Sequence, residues 1–404
     1  MKILHTADWH IGKILHRQSL YDDISYFFDW LVQRITDEKI DLLLVSGDIF
    51  DLANPSNMDT KLYYQTLYRL SKTNVKVIIT GGNHDSISLL DAPSSLLDVL
   101  DITVVGGAKD DIHHEIIPIT GNHGAVECIV LAVPFLRDKD LRQSMQASEM
   151  ADKSSFISEA IKQHYDKLVE MTVEKFGHSA PIIAMGHLYM QGSITSDSER
   201  EIHIGNLEGL DSKIIHPEID YMALGHIHKP QKIGNKNNIR YSGSPVFLNF
   251  SERNYDKMVI EIEIEANEIK SITSVAIPKS REILKFTGDL TSVKNMLMVY
   301  QNKYPLTAFI EIEIQENEFD VLKIQAMEDM IDSIKSEEFK ILKNRIFFDQ
   351  TPDSMKVILN ESRTIQELTP MDIFRQKLSE NNLNELEMKE LTEIYVSLLE
   401  EIQD

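Results

Sequence analysis

With 404 residues, 42% of them hydrophobic, and a formal net charge of −23, the chain can build two or three cores. It is too acidic to coat nucleic acid by charge alone. No apolar run approaches the ~20 residues a membrane span needs, and a single cysteine, Cys128, excludes an internal disulfide. The chain enters a strand-like run at once, without a secretory leader, which together with the lone thiol predicts a reducing, cytoplasmic setting.

Taken in order, residues 2–6 (KILHT) form a short apolar run that ends in Asp8, Trp9 and His10. Residues 21–39 space Ile24, Phe27, Phe28, Leu31 and Ile35 as an amphipathic helix. Residues 41–46 (DLLLVS) make a second buried-type strand that ends in Gly47 and Asp48, with Asp51 three residues on. A helix is expected over 61–71. The β-branched run 75–80 then meets the turn Gly81-Gly82, which presents Asn83, His84 and Asp85. A further helix is expected over 86–100; both helices carry more exposed-looking Tyr and Leu than a cover helix requires.

Cys128 sits in the apolar run CIVLAVPF and is expected in a core. Residues 137–175 are polar and helical. Residues 181–185 (PIIAM) end in Gly186 and His187, and 220–224 (DYMAL) end in Gly225, His226, Ile227 and His228. Thereafter short strands are predicted at 239–242, 244–250 and 257–265. The last alternates as MVIEIEIE, the period of a half-exposed antiparallel strand. Residues 282–350 alternate strand, helix, strand, helix, strand and predict a separate small α+β unit. Past Pro352 and Pro370 the chain becomes acidic and helical, with apolar residues at helical spacing over 371–379 and 385–402.

Five strand ends therefore carry Asp, Asn or His. These are nitrogen and oxygen ligands for divalent first-row metals, a set that suits Mn, Fe, Zn or Mg better than thiolate chemistry. Seven candidates stand out: Asp8, His10, Asp48, Asn83, His187, His226 and His228. With Asp48 bridging, they divide into two sets of four. Two ions ~3.5–4 Å apart hold the attacking and leaving oxygens of an in-line displacement at phosphorus. Spacing i, i+2 turns Asp8 with His10, and His226 with His228, to one side of an extended segment. His84 is not needed as a ligand; it is predicted to face the phosphate, stabilising developing charge or protonating the leaving oxygen, with Asp51 holding its imidazole in the charged form.

Asp8-x-His10, Gly47-Asp48-x-x-Asp51, Gly82-Asn83-His84-Asp85, Gly186-His187 and Gly225-His226-x-His228 together resemble the five-part signature of the calcineurin-like metallophosphoesterases. HTADWHIGK at the start, SDSEREIHIGNLEGLD at 196–211, YMALGHIHKPQ and YSGSP at 241–245 resemble the SbcD family of nuclease subunits. That resemblance implies an α/β fold: a metallophosphoesterase β-sandwich flanked by helices over 1–277, and a small DNA-capping α+β domain over 278–352. It also implies a C-terminal helical segment, 368–404, that docks on the coiled-coil base of an SbcC-type ATPase. It implies two Mn ions, a homodimer through helices near 61–71 and 86–100, and DNA exonuclease and endonuclease activity in end processing, repair and recombination. The chain has no GxxxxGK[ST] loop, so ATP dependence belongs to the partner.

For DNA contacts, the best local cations are Lys13, His16 and Arg17 past the first motif and Lys229 past the last. The loop Ser242-Gly243-Ser244 is expected to approach a phosphate closely. A serine/threonine phosphatase shares such a metal centre, but its second motif continues GDxxDRG, where this chain has Leu52-Ala53 after Asp51. A scaffold that keeps the fold without its chemistry has no need of a complete ligand set with His84.

Overall fold

Runs of Ile, Leu and Val too short for helices set the scaffold, and amphipathic helices cover it. The computed structural model describes residues 1–121, 124–144, 153–196, 199, 202, 209–234, 236–318 and 320–350, with single positions at 378, 388, 391, 392 and 395. The segment 368–404, expected to dock on a partner, lies outside the described residues apart from those single positions. Among the described residues no helix is long and apolar enough to cross a membrane.

The first part of the chain runs β1 (Lys2–Thr6), a hairpin of β2 (Ile14–Leu15) and β3 (Gln18–Ser19), α1 (Tyr21–Glu38), β4 (Leu42–Ser46), α2 (Asn57–Leu70) and β5 (Lys76–Thr80). Then come α3 (Ile87–Asp91), α4 (Ser94–Asp98) and β6 (Ile102–Val105). The single helix expected over 86–100 is thus two short ones. Pro93 lies between them, where its missing N–H and its ring forbid a continuous helix. Next are β7 (Ile116–Thr120), β8 (Val126–Ala132), α5 (Asp138–Ser144), α6 (Lys153–Phe176), β9 (Ile182–His187) and β10 (Ile219–Gly225). The series closes with β11 (Gln231–Lys232), β12 (Ile239–Tyr241), β13 (Met258–Glu265) and β14 (Glu268–Ala276). Residues 244–250, expected as a strand, are loop with a 3-10 turn starting at Phe250, because their backbone serves a buried network around Glu252.

These strands make two six-stranded sheets, β14-β13-β1-β4-β5-β6 and β11-β12-β10-β9-β8-β7. Strands β1, β4, β5 and β6 run parallel, as do β8, β9, β10 and β12, while β13 joins β1 antiparallel, as its alternation predicts. The sheets pack face to face through Ile3, Leu42, Leu44 and Ile78 on one side and Val130, Ile183, Met185 and Ala223 on the other, with Cys128 among them. The outer face of the second sheet is covered by α6 through Ile161, Tyr165 and Leu168. Ser46 Oγ donates to the carbonyl of Ala223 at 3.0 Å and ties the sheets at the edge where the parallel strands end.

By its contacts the chain divides after Pro278, with residues 14–18 grouped with the later unit. That unit comprises β15 (Ile283–Gly288), α7 (Leu290–Val299), β16 (Ala308–Glu318), α8 (Val321–Ser333) and β17 (Phe339–Gln350). Its sheet order is β15-β16-β17 and every pairing is parallel. Parallel neighbours need helical crossovers, so the unit is βαβαβ, an α/β arrangement where α+β was expected. Val293, Leu297, Met327 and Met330 from the two helices bury Ile310, Ile312 and Ile314.

Candidate metal centre

The parallel strands of both sheets deliver their carboxyl ends to one edge, the place where α/β sheets present ligands. There the loops after β1 and β4 zip together: Asp8 N–H donates to Gly47 O at 3.0 Å, His10 N–H to Asp48 O at 3.0 Å and Ile11 N–H to Ile49 O at 2.9 Å. Between the two ligands of the first loop, Trp9 is buried against Phe28, with ring centroids 4.9 Å apart, and its Nε1 donates to Thr6 Oγ1 at 3.2 Å. Asp8, His10, Asp48 and His226 have left-handed backbones, with φ of 53°, 44°, 49° and 99°. Such conformations persist only where the surroundings over-determine them. At Gly225 close approach, not φ, is decisive: a Cβ there would lie 1.7 Å from Ser46 O.

All seven predicted ligands meet at this edge. Asp8, His10 and His228 form one group, and Asp48, His187 and His226 a second, in each of which the ligand atoms lie within 4.8 Å of one another. A third group joins His10, Asp48 and His84. Asn83 Oδ1 stands 2.9 Å from His187 Nε2. Asp48 lies between the groups: its Oδ2 is 3.3 Å from His187 Nε2 and 3.6 Å from His10 Nε2, and its Oδ1 accepts the His84 backbone N–H at 2.9 Å. Asp8 Oδ1 accepts the backbone N–H of His226 at 2.8 Å, and the Phe135 and Tyr189 rings stand edge-on to His187 and His226.

The hydrogen bonds fix which nitrogens face inward. His10 Nδ1 donates to Asp51 Oδ1 at 3.2 Å, His228 Nδ1 faces Glu252 Oε1 at 3.4 Å, and His187 Nδ1 donates to Ser46 O at 3.1 Å. Each partner accepts only, so Nδ1 carries a proton, and in the neutral imidazole that can bind a metal the lone pair is on Nε2. The Nε2 atoms of His10 and His228 then face each other at 3.1 Å, and that of His187 faces Asn83 Oδ1 and Asp48 Oδ2. Lone pairs turned on one another repel unless a cation lies between them. Asp8 Oδ2 is buried with no hydrogen-bond partner among the described residues, and burial pushes the Asp8 carboxyl up to about 7. Burial alone would lower His187 and raise Asp48; their mutual attraction reverses both, lifting the imidazole to about 9 and holding the carboxyl well below its usual range. These donors fit divalent cations: they are nitrogen and oxygen atoms in two adjoining groups, and positive charge removes each conflict.

His84 faces this cluster with Nε2 at 3.9 Å from Asp48 Oδ2, and its Nδ1 donates to the backbone carbonyl of Asp51 at 2.7 Å. The expected support from Asp51 thus comes through its main chain. Its carboxylate accepts from His10 and, at 3.0 Å, from Lys13 Nζ. Lys229 Nζ lies over the Tyr255 ring at 5.6 Å. His16 and Arg17 fall in the hairpin grouped with the later unit. The expectation for Ser242 and Ser244 needs correction: both are fully buried. Ser242 Oγ contacts Gly243 O, while Ser244 donates to Val246 O at 3.0 Å and accepts from Lys257 at 2.7 Å, so these hydroxyls brace the interior.

Sequence reasoning missed Glu199, Glu252 and Lys257, and placed Asp85 in a motif without its role. Glu199 lies inside the SDSEREIHIG stretch, the one signal available; Glu252 and Lys257 follow no motif. Asp85 is 2% exposed and accepts the backbone N–H groups of Gly82 at 2.8 Å, Ile49 at 3.0 Å and Phe50 at 2.9 Å, clasping the second and third loops. Asp85→Ala strands three buried donors at about 1–3 kcal/mol each, and urea unfolding should register a loss of at least about 3 kcal/mol. A loss under about 1 kcal/mol would mean that water replaces the clasp.

Residues 1–230 match the family model described as calcineurin-like phosphoesterase. The chain is 30% identical to the SbcD component of the nuclease SbcCD of Escherichia coli (strain K12) over 406 residues, covering 99% of this chain and 98% of that protein. It is 31% identical to the protein of the same name from Bacillus subtilis (strain 168) over 323 residues, covering 78% of this chain and 79% of that protein. Among solved structures, a dimetal phosphatase from Danio rerio is 12% identical with a TM-score of 0.40, over 69% of this chain and 99% of that one.

Proposed function

We propose that this chain, which belongs to the calcineurin-like phosphoesterase family and within it to the SbcD nuclease subunits, is a metal-dependent DNA nuclease that works with an SbcC-type ATPase. The observation that carries the reading is the convergence of the His10, His187 and His228 Nε2 atoms with Asp8, Asp48 and Asn83 at one sheet edge. Asp8, His10, Asp48 and His228 would hold one ion and Asp48, Asn83, His187 and His226 the other, with manganese the metal we favour. A bound pair of divalent ions would supply Lewis-acid stabilisation of the phosphate oxygens and lower the pKa of an attacking water.

The protein's own groups do the rest. His84 donates its Nδ1–H to the Asp51 carbonyl, which leaves Nε2 as the nitrogen that faces the cluster. There it protonates the departing sugar oxygen as the phosphodiester breaks. Asp51 orients His10 and anchors Lys13 on the same loop pair. With a net charge of −23, Lys13 and Lys229 are the side chains we assign to the DNA backbone near the centre, which makes duplex binding by the chain alone weak and steeply salt-dependent. The later βαβαβ unit is proposed to cap the DNA, the tail at 368–404 to dock on the ATPase, and α2 with α3 and α4 to form a homodimer.

Hydrolysis of bis-p-nitrophenyl phosphate and of hairpin DNA tests this reading. With Mn²⁺ both should be cleaved, EDTA should abolish both, and a phosphoserine peptide should be left intact. Turnover of the phosphopeptide with no cleavage of DNA would replace the nuclease by a protein phosphatase. Inactivity on every substrate in the presence of bound metal would leave a scaffold.

A further inference from the structure

Behind the first ligand group lies a buried charge network that none of the five loop motifs contains. Glu252 has no exposed surface; its Oε2 accepts from Lys257 Nζ at 2.5 Å and from Leu248 N–H at 3.1 Å, and its Oε1 stands 3.4 Å from His228 Nδ1. Lys257 is 4% exposed and reaches several further groups, the Phe247 ring at 5.4 Å among them. Its Nζ donates to Ser244 Oγ at 2.7 Å and to the His228 backbone carbonyl at 3.4 Å, and it lies 5.0 Å over the Tyr255 ring. Glu199 Oε1 accepts the His228 backbone N–H at 2.9 Å. One histidine is thus gripped through its ring, its N–H and its carbonyl by side chains from two other segments.

Stability does not account for such a pair, because burying two charges costs more than their attraction returns, and apolar residues of equal volume serve as well or better. Orientation does account for it. A ligating imidazole whose far nitrogen meets a carboxylate is fixed in tautomer and made more basic. His10 has the same backing from Asp51, whereas the nearest partner of His187 Nδ1 is the neutral carbonyl of Ser46 at 3.1 Å, with the Asp8 carboxylate beyond hydrogen-bond range at 3.9 Å. The two ligand groups are therefore built differently: the group of Asp8, His10 and His228 has carboxylates behind both imidazoles.

We propose that Glu252 and Lys257 are positioning residues: Glu252 keeps the His228 proton on Nδ1 and its Nε2 lone pair in the site, while Lys257 neutralises Glu252 and draws it away from the ligand set. This rests on the metal-centre reading and assigns the pair to one of the two ions. Removing it should weaken that ion and leave the other.

Calorimetric titration of the full chain with Mn²⁺, alongside thermal melting, tests the proposal on the natural protein, on Glu252→Gln and on Glu252→Gln/Lys257→Met. One of the two sites is expected to weaken about 10–100-fold in both variants, with the other unchanged within about threefold. DNA cleavage should fall at limiting Mn²⁺ and recover at high Mn²⁺, a rescue that a merely structural defect would not give. If Glu252→Gln alone does not fold, because Lys257 is left buried and unpaired, the double variant decides, since it buries no charge. A folded double variant with natural affinity at both sites, or equal weakening of both, overturns the proposal. So does a double variant that cannot fold, which would assign the pair to stability. A natural protein that binds no divalent ion would remove the metal-centre reading first, and this proposal with it.

Discussion

His84→Gln is expected to lose about 10²-fold or more in phosphodiester cleavage while keeping both metal ions and its affinity for DNA. The geometry separates the two roles. Its backbone N–H and its Nδ1 are committed, to Asp48 Oδ1 at 2.9 Å and to the Asp51 carbonyl at 2.7 Å, and its Nε2 is held 3.9 Å from Asp48 Oδ2. Glutamine keeps the backbone bond and the bulk but has no group acidic enough to give up a proton near neutral pH. Single-turnover cleavage of hairpin DNA, measured beside Mn²⁺ titration, reads the two effects apart. A variant that loses cleavage and one metal together would make His84 a ligand, as its place in the third group of donors allows.

Asp48→Ala is expected to weaken both metal sites, each by at least about 100-fold, the upper end for residues that merely support a ligand. One oxygen of this carboxylate lies 3.3 Å from His187 Nε2 and 3.6 Å from His10 Nε2, so a single side chain serves both groups. The thermal stabilisation that Mn²⁺ gives the natural protein by binding only the folded state should vanish in the variant. Calorimetry that shows one site lost and the other intact would remove Asp48 from the bridging position.

The candidate ligands were legible in the sequence because each is local: a buried run predicts the strand, and the polar residue sits two to four positions past the end of that run. The same locality made the strand–helix alternation of 282–350 legible, but not its parallel sheet, since register and direction are tertiary facts. Asp85 stands inside a motif without its purpose showing, because nothing local says that it collects N–H groups from residues 49 and 50 as well as 82. Glu252 and Lys257 were invisible for the same reason. Their contacts with His228 span 24 and 29 positions, Glu252 lying between two predicted strands and Lys257 at the start of the second. Ser242 and Ser244 misled in the opposite sense: small hydroxyl residues by a glycine suggest a phosphate loop, yet here they are packed inside.

The left-handed backbones of Asp8, His10, Asp48 and His226 bear on what these letters mean in other sequences. Among residues with a side chain, Asn, Asp and His are the types enriched at positive φ. These are also the types proposed as ligands here, so two independent filters would select one small alphabet at four positions. A descendant that had abandoned its chemistry would still favour Asp or His there, to keep the turns. Asn83, His187 and His228 have ordinary backbones, and no turn demands their identity. Their presence therefore discriminates a working centre from its relic better than the more conspicuous Asp-x-His at the start of the chain.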